Sequence, residues 1–433
     1  MEDTLVKQEV IEILKPDKTI DPENNEVKDS VEVSYNEVPE GEDMLGQSPT
    51  DTIDSSNRLL IIGAGSLSSH LVAGLAMSSN IRIDIVDESD PMFMRNNPHL
   101  STIWEKIKDN IGMLHSSVED LDNLRDLIKS SYYNNVVIAH SVNDRHWIHD
   151  NPVNSNHRNI IYTSQVIDLL RRCDFNGRII HISSWSVYGA QDKSAIPFKE
   201  TLAPNPISMR GGSRLAQELI VKTMCKQYGI VYNILRPGSI CGPYTDQSKF
   251  LNQFVKSALT HETILLHDGG KQTRDVVSIN DVVWMVNRLV TLPAKDKGKV
   301  DNQIFNVGGN FRFNISANQL KSHELSVEHY ANSVITLMRK MHSDETINTV
   351  VTKTDNPENK LRVFLDNKKA HELLGFAPDD RGPIGIISDV AYFIGYNVLG
   401  LSDDNMEVIR KTTKNVGEIT ADPTTHKLAP QTG

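Results

Sequence analysis

Gly63 and Gly65 in "LLIIGAGSLSSHL" stand directly after an apolar run and before a helical pattern, and Ser68 takes the third place of a G-x-G-x-x-G spacing. Glycine at the first place permits a tight turn. At the second it lets the backbone approach a pyrophosphate, whose charge the N–H groups and dipole of the following helix can receive. Serine at the third place is small but bulkier than the glycine that brings helix and strand closest, so a looser junction is expected. Asp87 closes the next apolar run, "IRIDIVD", twenty-four residues beyond Gly63. A carboxylate there accepts hydrogen bonds from an adenosine ribose diol and repels the extra phosphate of NADP, so the pattern predicts an NAD site. The competing reading is an α/β turn that needs glycine and holds no phosphate.

The segment "HSVNDRHWIHD", 140–150, gathers His140, His146 and His149 beside Asp144 and Asp150. Its spacing fits no common metal motif, and a loop over the cofactor is the reading preferred to a metal site. Cys173, Cys225 and Cys241 lie far apart with no C-x-x-C pair, which speaks against zinc and against a disulfide framework and for buried thiols.

To hold a glycine turn and a carboxylate in register, strands and crossover helices must alternate. Apolar runs place strands at 58–62, 81–86, 135–140, 177–183, 231–236 and 304–307. Helical patterns fill 66–78, 119–130, 157–172, 211–227, 247–259, 281–292, 326–341 and 367–374. The β-α-β order from residue 58 predicts an α/β fold, a doubly wound parallel (Rossmann) sheet, with a smaller discontinuous C-terminal lobe. The lobe is expected mainly from about 190–210, 240–271 and 308–398.

Of the net charge of −11, residues 1–57 carry −12, with sixteen Asp and Glu against four Lys, leaving about +1 for the rest. This leader is expected to be solvated, with "LVKQEVIEIL" able to form a short helix or docking peptide for a protein partner. Residues 399–433 read as a polar tail. A nearly neutral body offers no basic face for nucleic acid. The chain has no apolar run long enough for a spanning helix, and its acidic start argues against secretory and transit peptides, so a cytoplasmic protein off the membrane is expected.

Further motifs carry a resemblance. "HISSWSVYGA" is similar to a strand ending in SS-x-x-VYG, "ILRPGSICGPY" to LRPxxxYGP, and "HDGGKQTRDVVSINDVV" to GxGxQTRDFVxVxDVV. "NQIFNVGGN" and "LDNKKAHELLGFAP" continue the series in the same order. Over 58–398 the chain resembles the extended short-chain dehydrogenases/reductases, the NAD-dependent sugar-nucleotide epimerase/dehydratase group. The resemblance implies NAD as cofactor, a nucleotide-activated sugar as ligand, and a homodimer built on the helices at 157–172 and 211–227, with Leu215, Leu219 and Met224 on the second, where ordinary core packing is the equal alternative.

The resemblance also assigns catalytic places. Ser184 falls on the catalytic serine, and in "NPISMRGGSRLAQE" Arg210 and Arg214 stand where the family has its proton-transferring tyrosine and its ribose-binding lysine. A guanidinium stays protonated and cannot exchange a proton as a phenol does, whereas Arg214 retains donors for ribose hydroxyls. Tyr188 is a conceivable substitute phenol, though it is expected to pack or to contact substrate. Arg274 in "QTRD" falls on a diphosphate-gripping residue, with an ion pair to Asp275 or Asp281 as the alternative. Val142 replaces a small residue near the nicotinamide, and Ser117, ahead of "VEDL" at 118–121, replaces an adenine-contacting aspartate. Two readings stand: an epimerase, dehydratase or reductase with an altered proton donor, and a non-catalytic relative with a structural or regulatory role.

Overall fold

The apolar runs become strands of a single parallel sheet in this computed structural model, which describes residues 58–401 apart from 88–104, 340–346 and short breaks at 64, 79–80, 106, 118–119, 247, 293, 314 and 354–356. The expected leader, 1–57, and residues 402–433 of the expected tail lie outside the described residues. The strands are β1 (Arg58–Ile62), β2 (Arg82–Asp87), β3 (Ile111–His115), β4 (Asn135–Ile138), β5 (Arg178–Ile182), β6 (Val231–Pro237), β7 (Ser239–Cys241), β8 (Ile264–His267), β9 (Val276–Ser278), β10 (Gln303–Val307) and β11 (Thr349–Thr352). Seven of them form one sheet in the order β3-β2-β1-β4-β5-β6-β10, every pair parallel. The order reverses between β1 and β4. In open α/β sheets this reversal opens a crevice beyond the carboxyl ends of the strands. β7 pairs with β9 and β8 with β11, outside the main sheet.

Side chains alternate across each strand, and both faces are covered, which is why the strands read as nearly unbroken apolar runs. Leu59, Ile61, Ile83, Ile85, Ile180 and Ile182 face helices α1 (Ser66–Ser78) and, later in the chain, Ile279–Val290. Leu60, Ile62, Val136, Ile138 and Ile179 face α2 (Leu121–Ser130), α3 (Tyr162–Arg172) and α4 (Met209–Tyr228). A separate lobe core joins α5 (Phe250–Leu259), which precedes α6 (Ile279–Val290) of the sheet layer, to α7 (Val327–Arg339) and α8 (Gly382–Phe393); Val255, Tyr330, Val334 and Ile387 are fully buried in it.

α4 positions the candidate site. The Ser208 hydroxyl accepts from the Gly211 N–H at 3.1 Å and so caps its start. A left-handed Gly229, φ 70°, ends it. About two turns beyond Gly211, Glu218 accepts from Arg236 of β6 through Nε (2.9 Å) and Nη2 (2.6 Å), and the Ser183 hydroxyl donates to the same carboxylate at 2.5 Å. All three residues are buried, so this network ties α4 to β5 and β6.

Most elements lie within three residues of their expected positions. The strand β3 is the main addition: it sits at the sheet edge, half-buried, and "IGMLH" carries no continuous apolar run to announce it. The α8 segment, "GPIGIISDVAYF", is apolar almost all round because it lies inside the lobe core, and it therefore shows no amphipathic period. The expected helix at 157–172 begins as a wide π-turn, His157–Ile161, before continuing as α3.

Candidate functional site

The glycine turn sits at the carboxyl end of β1. Gly63 has φ 100°, its N–H donates to the Val86 carbonyl of β2 at 3.0 Å, and an added Cβ would lie 2.7 Å from the backbone nitrogen of His140. A side chain is therefore excluded by the protein itself. Gly65 differs: an added Cβ would meet no atom within 4 Å. Ser68 is fully buried and its hydroxyl donates to the Gly63 carbonyl, so the extra bulk at the third place braces the turn. Asp87 ends β2, beside the turn, and its carbonyl accepts from the Ser116 N–H at 3.2 Å. Of the expected adenine-side segment 118–121, residues 118–119 lie outside the described residues, and Asp120 caps α2.

Beyond β4, the loop with three histidines turns into a short helix, Arg145–Asp150. The Asp144 side chain caps it, accepting from the Trp147 N–H at 2.8 Å. Val142 is fixed by its own N–H, which donates to Asn159 Oδ1 at 2.8 Å. Among the described residues, no group of three or more His, Cys, Asp or Glu is arranged to hold a metal.

At the start of α4 the structure brings Ser184, Arg210 and Arg214 onto adjoining elements. Ser184 caps a turn at Trp185–Val187, its hydroxyl accepting from the Ser186 N–H at 3.2 Å. Gly211 lets α4 lie against this turn, where an added Cβ would stand 2.5 Å from the Ser186 carbonyl oxygen. Arg214 is 5% exposed; Nη1 donates to the Ile182 carbonyl at 2.8 Å and Nη2 to Asn143 Oδ1 at 2.9 Å. Its Nε has no hydrogen-bond partner among the described residues. Burial and the neighbouring charge of Arg210 pull its pKa down to about 9, which leaves it cationic at neutral pH.

Arg210 reaches the other way. Its Nη2 lies 3.6 Å from a carboxylate oxygen of Glu358, a residue 3% exposed in the turn Pro357–Lys360. The Ser208 hydroxyl donates to the same carboxylate at 2.5 Å. Arg274 grips that turn from its far side, donating to the carbonyls of Glu358 (2.7 Å), Leu361 (3.2 Å) and its own neighbour Thr273 (2.8 Å). The Trp185 ring lies 5.8 Å from the Arg210 guanidinium and 5.1 Å from that of Arg274. Asp275 accepts from the N–H groups of Gly309, Asn310 and Leu365, and Asp281 from that of Asp379.

Tyr188 follows the Trp185–Val187 turn, its N–H donating to the Trp185 carbonyl at 3.0 Å. It is fully buried against Phe198, donates to Asn306 Oδ1 at 2.6 Å, and burial pushes its phenol up to about 12. His181 of β5 was not singled out by any motif. It is fully buried next to Arg214, neither ring nitrogen has a hydrogen-bond partner among the described residues, and burial lowers its pKa to about 3. Glu358 was also missed, since a single Glu in the polar run "DNPENKLR" has no spacing that marks it. Ser208 had a readable signal, a serine just ahead of a helical pattern.

A model described as the NAD dependent epimerase/dehydratase family matches residues 59–308, more than half of the chain. The human dTDP-D-glucose 4,6-dehydratase is 28% identical over 218 residues, which cover 50% of this chain and 56% of that protein. The UDP-glucuronic acid 4-epimerase of Bacillus cereus, solved with UDP-glucuronic acid and NAD, superposes with a TM-score of 0.65 at 20% identity, covering 78% of this chain and 99% of that one. The UDP-glucose 4-epimerase of Thermotoga maritima, solved with UDP-glucose, gives 0.62 at 21% identity, covering 80% and 100%. At these identities the structural likeness establishes the fold. Among the described residues no helix is long and apolar enough to cross a membrane.

Proposed function

Because the chain belongs to the NAD-dependent epimerase/dehydratase family, we propose that it binds NAD and is a non-catalytic relative that has given up the tyrosine-centred proton transfer. The ligand class handled by its named relatives is the nucleoside-diphosphate sugar, and this chain keeps the corresponding fold. The observation that carries the reading is Arg210. By the resemblance of its motif it takes the place of the proton-transferring tyrosine on α4, and its guanidinium lies 3.6 Å from the buried carboxylate of Glu358. A guanidinium in an ion pair is still harder to deprotonate, and general acid–base catalysis worth about 10²–10⁴-fold has no donor there. Tyr188, buried with its hydroxyl on Asn306, does not supply one.

The residues present fit NAD. The open space at Gly65, the first N–H groups of α1 and the carboxylate of Asp87 suit a diphosphate and an adenosine ribose. The unpartnered Nε of Arg214 is a donor left for the second ribose. NAD, when bound, supplies a hydride acceptor; the chain's own residues hold and orient it. A homodimer is part of the proposal, supported by Leu219 and Ile161, exposed on neighbouring helical segments at 51% and 44%. Leu215 is packed into the lobe-side core instead, and Met224 against the sheet.

Calorimetric titration with NAD and NADP, alongside assays of turnover with UDP-glucose and dTDP-glucose, tests this. Binding that prefers NAD, weakens in Asp87→Ala and is accompanied by negligible turnover is the expected result. Robust turnover that survives Arg210→Ala overturns the non-catalytic reading. Absence of any dinucleotide binding at millimolar concentration overturns the cofactor assignment.

A further inference from the structure

Three residues placed by sequence at the start of α4 and at β9, Ser208, Arg210 and Arg274, converge on one short turn of the same chain. The carboxylate of Glu358 takes the Ser208 hydroxyl and the Arg210 guanidinium, and the carbonyls of Glu358 and Leu361 take the guanidinium of Arg274. An anion cradled by a hydroxyl and a guanidinium, with a second guanidinium on neighbouring oxygens, is the arrangement by which a protein grips a phosphate or carboxylate ligand. Here the anion belongs to the protein.

The surroundings reinforce this. Arg210 lies close enough to Arg214 and to the half-buried Lys249 for its charge to disfavour theirs, and Lys249 is held on the Ile240 carbonyl at 2.7 Å. Arg274 lies 5.1 Å from the same Trp185 ring that Arg210 approaches. The buried Glu358 carboxylate thus pairs with Arg210 at the edge of a region in which Arg214, Lys249 and Arg274 also carry positive charge. A positive region of this kind attracts anions, and a carboxylate held inside it competes with an anion arriving from solution.

We propose that Glu358 is the specificity-determining residue that keeps nucleoside diphosphates out of this end of α4, acting as a built-in anion that a diphosphate must displace before it can bind. The proposal rests on the reading of this region as the family's ligand side. It deepens that reading by naming what the region rejects and which residue rejects it.

The test uses the full chain and UDP as the probe, titrated calorimetrically into wild type, Glu358→Ala and Glu358→Gln, with NAD titrated into the same samples. Wild type is expected to bind UDP with a dissociation constant above about 1 mM, and Glu358→Ala at least tenfold more tightly, a gain that falls with salt because it is electrostatic. Arg210→Ala added to Glu358→Ala should abolish the gain. If Glu358→Ala does not fold, Glu358→Gln, which keeps the shape and the Ser208 contact while removing the charge, is held to the same tenfold criterion. Micromolar UDP binding by wild type overturns the proposal. So does a folded Glu358 variant, by its melting transition, that gains nothing. UDP binding is read separately from NAD binding and from turnover, so failure of the NAD assignment leaves this result interpretable, and failure here leaves the NAD assignment standing.

Discussion

Two glycines of one motif should respond to alanine in opposite ways. At Gly65 an added methyl meets no atom within 4 Å, and its φ lies outside the left-handed range. Gly65→Ala should therefore leave the ligand-free protein as stable as wild type or raise it by about 0.4–1 kcal/mol, by restricting the unfolded chain. The same methyl would stand where a diphosphate approaches the backbone. Losing one hydrogen bond to a charged group costs about 1.5–3 kcal/mol, so NAD should bind roughly tenfold to a hundredfold more weakly. At Gly63 the balance reverses. Its φ of 100° costs a side-chain-bearing residue about 1–3 kcal/mol. The new Cβ would also press within 2.7 and 2.8 Å of the backbone N and Cα of His140. Because both are backbone atoms, the segment just after β4 must move, and a total loss of about 3 kcal/mol or more is expected. Urea unfolding of the ligand-free variants and calorimetric NAD titration separate the two effects. Wild-type NAD affinity in Gly65→Ala would refute the placement of the diphosphate, and a wild-type unfolding midpoint in Gly63→Ala would refute the steric argument.

Glu218→Ala strips the buried Arg236 of its bidentate partner and Ser183 of its acceptor; a loss of about 3–5 kcal/mol in chemical unfolding is expected, and a loss below about 1 kcal/mol would show that Arg236 finds another anion. His181, with a folded pKa of about 3 against an ordinary 6.5, stays neutral while its unfolded counterpart takes a proton. Its contribution is intact above pH 6.5 and is lost as pH falls towards 3. His181→Leu should shallow the acid limb of the stability–pH curve without abolishing it, because His70, lowered to about 4, adds a limb of the same sign; an unchanged slope would count against the assignment.

The sequence carried the doubly wound sheet because a strand buried on both faces must be apolar throughout, and "RLLII", "RIIHI" and "NVVI" are nearly so. It carried the glycine turn because only one residue type tolerates the backbone found at Gly63. Edge and lobe elements were less legible. β3 is half-buried, and β7, β8, β9 and β11 run three or four residues each, too short for a period to emerge. Arg210 was legible as a candidate from the motif it interrupts, but its partner was not. Glu358 lies 148 residues further on, and only the folded path of the chain brings them within ion-pair distance.

The last strand of the main sheet imposes an order on synthesis. β10 joins β6 with Gln303 opposite Asn233, after the chain has laid down α5, α6 and three strands that belong elsewhere. Two buried polar groups wait for the same stretch: Arg178 for Asp301 and Tyr188 for Asn306. A nascent chain that has emerged only to about residue 300 thus carries β6 as an open edge, with a row of backbone donors and acceptors ready to pair with any other strand. Long-range parallel pairing closes slowly, and the interval in which that edge stands open is when the chain is most exposed to mispairing with a neighbour and most dependent on a chaperone.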